Sequence, residues 1–223
     1  MFRRVKIGNF KCIREAELEL GKITVLIGPN GSGKSSILHG LTTVKQLKQD
    51  PSYLGLSGAY IALGNFEDVV FKHEVGDSIQ LGLEWDEALP SGLRDVFQDE
   101  ACNISYMVKV NPSLPTQELK VKIGDLVIHA RGEGTYGRID RNWIEPETIP
   151  YKGEVVKLAV SNSGFFLCPS LIPSGGISPK DIAEFNGFMG QMWLTIENIY
   201  FIPISRVFQD FAVDLLAQTT GDI

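Results

Sequence analysis

Gly28-Pro29-Asn30-Gly31-Ser32-Gly33-Lys34-Ser35 is the stretch on which the reading of this chain turns. It satisfies G-x-x-x-x-G-K-[ST], the pattern of a phosphate-binding loop set between a strand and a helix. Both flanks agree. Upstream, Ile23-Thr24-Val25-Leu26-Ile27 has the composition of a strand buried on both faces. Downstream, Ile37, Leu38, Leu41, Val44 and Leu47 recur at helical spacing. Glycines let the backbone turn without a Cβ clash, so successive N–H groups converge on one point at the positive end of the new helix. An anion is favoured there. The expected cradle for ATP is Asn30, Gly31, Ser32, Gly33, Lys34, Ser35 and Ser36. Lys34 reaches the β- and γ-phosphates, and the Ser35 hydroxyl is one ligand of an octahedral Mg²⁺. The alternative is a glycine turn that merely starts a helix.

Composition sets the outer limits. The chain has 223 residues, 43% of them hydrophobic, enough for one sizeable core. Its net charge of −6 does not announce a nucleic-acid binder. Cys12, Cys102 and Cys168 are odd in number and far apart, which suits neither a zinc site nor a disulfide framework. Free thiols in a reducing compartment, the cytoplasm, are expected. The N-terminus lacks the apolar block of a signal peptide, and no run approaches a membrane span.

Along the chain, residues 2–10 read as a first strand with Val5 and Ile7 facing in. Glu15-Ala16-Glu17-Leu18-Glu19-Leu20 alternates as a second strand. The helix after the glycine loop is expected to stop near Asp50-Pro51, and 52–68 to be a loop. Residues 69–168 read as antiparallel strands, with Gly124-Asp125 as a hairpin turn. Residues 132–153, rich in Gly, Arg, Glu and Pro, read as an exposed insertion. Arg131, Arg138 and Arg141 offer a basic patch there that Glu133, Asp140, Glu145 and Glu147 dilute. Two tempting matches are rejected. Leu56-Ser57-Gly58 stands in the wrong order for an ABC signature. Leu83-Glu84-Trp85-Asp86-Glu87 alternates, whereas a Walker B strand is apolar throughout. Ser178-Pro179 opens a further helix, and Ile199-Tyr200-Phe201-Ile202 reads as a buried strand. His39 is expected on the exposed side of the loop helix.

A family resemblance rests on the joint Asn9-Phe10-Lys11-Cys12, the second strand ending in Leu20, and the loop with its Asn30 and doubled Ser35-Ser36. Residues 1–45 resemble the ABC-type ATPase heads of the SMC/RecF/OLD class, which serve chromosome organisation, recombinational repair and phage defence. The resemblance implies that Lys11 approaches the nucleotide phosphates; the alternative is a solvated lysine at a strand end. It also implies a Q-loop glutamine that contacts Mg²⁺ and the attacking water. Gln209 is the candidate, with Ser205 or Arg206 as alternatives for that position. The Ile-Pro-x-x-Arg wording at 202–206 is closer to the OLD branch.

The expected fold is therefore α/β, a P-loop NTPase core of ABC type with an antiparallel β sub-sheet, forming one lobe over 1–223. Within it, 1–50 carries the first strands, loop and helix, 69–168 the β region, and 178–223 a helix, a strand and the Q-loop-like segment. The sequence has no signature motif after a Q-loop, no Walker B strand and no switch histidine. A C-terminal half and a second head, in a homodimer, are expected to complete the Mg·ATP site. The competing expectation is a nucleotide-gated module that binds DNA or a protein. A P-loop kinase, which needs a lid rich in arginine, or a GTPase, whose Asn-Lys-x-Asp base reader is missing from the sequence, is the weaker reading.

Overall fold

The computed structural model describes residues 2–49, 56–135, 138–163, 166–173 and 177–199. Strands β1 (Phe2–Phe10) and β2 (Ile13–Glu19) form a hairpin. Helix α1 spans Lys34–Gln49, and a short α2 spans Phe66–Val69. Strand β3 (Ile79–Ala88) follows, then α3 (Ser91–Phe97), β4 (Ala101–Val110), β5 (Thr116–Ile123), β6 (Leu126–Thr135) and β7 (Arg138–Glu145). Strands β8 (Thr148–Tyr151), β9 (Glu154–Ser163) and β10 (Phe166–Leu171) precede α4 (Pro179–Gln191) and α5 (Leu194–Glu197).

The main sheet has the order β2-β1-β3-β4-β5-β6-β7 and every pairing in it is antiparallel. Its period-two pattern sends Val5, Ile7, Leu81, Leu83, Tyr106 and Val108 to one buried face. A smaller sheet, β10-β9-β8, packs beneath the β5–β7 end together with α4. Trp193 closes this core. Its ring lies 5.0 Å from Tyr106 and its Nε1 donates to the Leu167 carbonyl at 3.1 Å. Helix α4 starts at Ser178, whose Oγ accepts from the Asp181 amide, with Pro179 at the first helical position.

Helix α1 crosses β1 and β3 very closely. A Cβ at Gly40 would stand 2.9 Å from Ile7 Cδ1 and 3.4 Å from Leu81 Cδ2, so the helix can sit here only because that position has no side chain. The later turns of α1 are enclosed on every side. Gln46 is buried and clamps residues 60–61, giving Nε2 to the Ile61 carbonyl and accepting from the Tyr60 and Ile61 amides. Lys45 Nζ donates to the Ile199 carbonyl at 2.6 Å.

Two expectations meet a different structure. The run Ile23–Ile27 forms no strand and pairs with nothing among the described residues. Ile23, Val25 and Ile27 stand 87%, 71% and 90% exposed. A strand buried on both faces needs a neighbour on each edge, and the antiparallel sheet ends at β2 on this side. The stretch 132–153 is exposed along much of its length, yet it is built as strands: the end of β6, then β7 and β8. Its Gly, Arg and Glu content belongs to an edge strand with one wet face. The helix end at Asp50-Pro51 and the strand and Q-loop segment from Tyr200 onward lie outside the described residues.

Candidate functional site

The glycine loop and the turn between β1 and β2 form one assembly. Gly31 and Gly33 have φ of +81° and +92°, a region that residues with a Cβ enter at a cost. Gly33 is also a contact point, since a Cβ there would stand 3.3 Å from Cys12 Sγ and 3.6 Å from Ile13 Cγ1. The helical ladder of α1 begins where the Ile37 amide donates to the Gly33 carbonyl at 3.0 Å. The amides of Lys34, Ser35 and Ser36 come before that first rung and point out of the helix end. This is the anion-favouring geometry that the sequence pattern demands.

The expected residues of the glycine loop take definite places. Asn30 and Gly31 form an exposed turn, and the Ser32 amide donates to the Pro29 carbonyl at 3.3 Å. Lys34 folds back over the loop. Its Nζ donates to the Gly28 and Pro29 carbonyls, both at 2.7 Å, and to Ser32 Oγ at 3.3 Å. Ser35 is exposed in the first turn, free to offer its hydroxyl to a cation. Ser36 is buried, with Oγ 3.4 Å from Cys12 Sγ, so what it can offer the cradle is its amide rather than its hydroxyl. Gln209, Ser205 and Arg206 lie outside the described residues.

Lys11 is half-buried at the turn, and its Nζ lies 2.8 Å from His39 Nδ1 on α1. Burial lowers the Lys11 pKa. Burial, and then the neighbouring Lys11 charge, lower that of His39. A neutral imidazole accepting at Nδ1 follows. His39 was expected on the solvent side. The available signal was its position four residues after Ser35, on the same helix face. Cys12 is an exposed thiol whose Sγ lies against Gly33 and Ser36, a contact that no local pattern announces.

The rejected Leu83–Glu87 acids lie at the far end of the sheet. Glu84 pairs with Lys6 at 2.9 Å and Arg4 at 3.4 Å, Asp86 pairs with Arg3 at 3.2 Å, and Glu87 accepts from Thr195 Oγ1. Trp85 is opposite Phe2, at the start of β1, whereas the glycine loop contacts Cys12 and Ile13, just past the other end of that strand. At about 3.3 Å per residue, eight residue steps along β1 separate the two by roughly 26 Å. Leu56-Ser57-Gly58 makes a tight turn, Gly58 N donating to the Ile61 carbonyl at 2.9 Å, and opens no helix.

A family model described as an AAA ATPase domain matches residues 1–131. The chain belongs to this AAA ATPase domain family. Two curated relatives sharpen the likeness. An OLD nuclease of Thermus scotoductus is 41% identical over 44 residues, 20% of this chain and 8% of that protein. A sulfate/thiosulfate import ATP-binding protein CysA of Nephroselmis olivacea is 28% identical over 103 residues, 41% of this chain and 30% of that protein. The chain thus spans well under two thirds of either relative. With them the resemblance to ABC-type, OLD-like ATPase heads stands. The architecture is mixed α/β with an antiparallel sheet, and the chain is an ATP-binding ATPase domain. No helix among the described residues is long and apolar enough to cross a membrane.

Proposed function

We propose that this AAA ATPase domain chain is the ATP-binding lobe of an ABC-type head of the SMC/RecF/OLD kind. Mg·ATP sits on the glycine loop. The loop amides and Lys34 carry the phosphates, Ser35 offers its hydroxyl to the metal, and Lys11 adds a second cation. Phosphoryl transfer needs positioning and charge neutralisation more than covalent groups, and these residues supply the ground-state part of both. The residue that positions the attacking water lies in a C-terminal half, with Gln209 as the Q-loop candidate at the metal. Head dimerisation then closes the site, and the biological setting is DNA repair, recombination or phage defence.

One observation carries this reading: the apolar run 23–27 ends in the glycine loop while Ile23, Val25 and Ile27 stand exposed and the run pairs with no strand among the described residues. Each such side chain gains about 1.5–3 kcal/mol when covered. A strand docked alongside would turn the run into the buried P-loop strand that the motif requires. The test is ATP binding with Mg²⁺ by the 223-residue chain and by Lys34→Ala. Binding that depends on Lys34 supports the reading, and an unchanged affinity in Lys34→Ala overturns it.

A second reading, a nucleotide-gated module that binds DNA, draws on the wet face of β7. Trp143 is 47% exposed there, directly opposite Arg131 on β6. An aromatic plane beside a guanidinium suits unpaired bases. Glu118 lies 3.9 Å from that guanidinium and dilutes the charge. Salt-dependent DNA binding that disappears in Arg131→Glu/Arg141→Glu would favour this reading.

A further inference from the structure

The β1–β2 turn is held from two sides, once through its backbone and once through the Asn9 side chain. Asn9 and Lys11 both have left-handed φ, +52° and +53°. The Lys11 amide donates to the Val69 carbonyl at 2.6 Å, and Asn9 Nδ2 donates to the Ser78 carbonyl at 3.3 Å. From this fixed backbone Cys12 touches Gly33 and Ser36, while the Lys11 side chain runs along α1 to His39. Gly33, Ser36 and His39 follow one another at intervals of three, a single ridge of the helix. His39 stands four residues after Ser35 on α1, about one turn or roughly 5.4 Å further along the helix axis, and the Lys11 ammonium rests against its ring. That distance is within the swing of a lysine stem with four methylenes.

We propose that His39 is a positioning residue: with the site empty it holds Lys11 one turn behind the cradle, and a bound polyphosphate draws the ammonium away from it. The inference rests on the P-loop reading of the site. A phosphate at the helix end draws Lys11 Nζ out of reach of Nδ1. Binding thus breaks the Lys11–His39 bond and forms an ammonium–phosphate contact. A hydrogen bond to a neutral ring is exchanged for one between opposite charges, which is the stronger kind. His39 therefore lowers the affinity only for a ligand whose phosphate must draw Lys11 away, and a ligand that leaves Lys11 in place leaves the bond intact and loses nothing. The burial and mutual charge effects at the pair agree, since both keep the imidazole neutral and able to accept.

The experiment is a double-mutant cycle read as Mg·ATP affinity in the 223-residue chain. His39→Phe fills the space and removes the acceptor. The expected result is binding tightened about three- to tenfold, the worth of one lost hydrogen bond. Lys11→Met weakens binding, and His39→Phe added to Lys11→Met changes nothing further. His39→Asn, whose Oδ1 stands near the place of Nδ1, returns affinity to the wild-type value. A purely structural His39 gives the opposite sign: weaker binding in His39→Phe whether or not Lys11 is present. That result overturns the proposal, as does equal tightening in both Lys11 backgrounds.

A second measurement needs no variant at His39. In ¹⁵N-histidine-labelled wild type, Mg·ATP moves the His39 Nδ1 resonance to the position it has in Lys11→Met. A resonance that stays at its ligand-free position in saturated protein overturns the proposal. Failure of the underlying reading looks different: wild type and Lys34→Ala then bind ATP equally or not at all, and both proposals fall together.

Discussion

At the scale of single residues, the cations of the site rest on neutral acceptors. Lys34 leans on two carbonyls of its own loop and Lys11 on an imidazole. A phosphate replaces those partners with charge. Contacts to charged groups are worth about 1.5–3 kcal/mol each, so Lys34→Ala is expected to weaken Mg·ATP binding by about ten- to a hundredfold. Its melting temperature should stay close to wild type, because the contacts of Lys34 are local to an exposed loop. Titration calorimetry alongside thermal unfolding checks both halves of the statement. Gly33→Ala separates the effects differently. A left-handed φ costs an L-residue about 1–2 kcal/mol, and the new methyl meets Cys12 Sγ at 3.3 Å. Loss of both stability and affinity is expected there, with Gly31→Ala as the control, since its Cβ position is open and only the backbone cost applies.

At the scale of elements, the pieces legible in the sequence were those whose pattern is satisfied within their own neighbourhood. β1 and β2 alternate cleanly, and the Ser178-Pro179 start of α4 is a local chemical signal. β7 was not legible, because an edge strand with a wet face has the composition of a loop. The order of the sheet was not legible either, since no local pattern says which strand sits beside which. In the site, the loop residues could be named from spacing alone. The Lys11–His39 pair joins residues 28 apart, and only the crossing of α1 over β1 brings them together. That crossing is sensitive: Gly40→Ala drives a methyl to 2.9 Å from Ile7 Cδ1, and overpacking of this kind costs about 1–3 kcal/mol. A matching drop in denaturant midpoint is expected, recovered in part by Ile7→Val. The start of α4 gives a pH prediction. Asp181 accepts from Lys152 Nζ at 2.6 Å and from Ser178 Oγ at 2.8 Å. These bonds hold its carboxyl below the ordinary 3.8. A group depressed on folding stabilises above its unfolded pKa and loses that contribution as pH falls through the folded one. Wild type should therefore lose stability on acidification below about pH 3.8 more steeply than Asp181→Asn.

At the scale of the whole molecule, the antiparallel core closes without the run 23–27. Seven paired strands, the small sheet and α4 cover one another's apolar faces. The run adds three exposed aliphatic side chains and an open backbone edge to an already finished core. Two consequences follow from the proposed function and point in different directions. Removing the apolar character, with Ile23→Thr and Val25→Thr together, should leave the melting temperature of the 223-residue chain nearly unchanged, because no native packing is lost. The same pair should abolish self-association, since an exposed apolar edge is the template on which another chain adds. In a longer chain that carries the C-terminal half, the prediction reverses. There the run becomes an interior strand, and covering three such side chains is worth about 4–9 kcal/mol, a sizeable part of the 5–15 kcal/mol that holds a domain together. The double substitution should then lower the melting temperature by several degrees and reduce ATP turnover. The 223-residue chain itself should turn over slowly whether substituted or not. Typical enzymes run at roughly 10 per second, and hydrolysis well below about 1 per second is expected where the water-positioning group is supplied from elsewhere. Light scattering, thermal unfolding and phosphate release, measured on both chain lengths, decide the matter. If the substitutions destabilise the short chain and leave the long one untouched, the run is no latent strand and the half-head reading is lost.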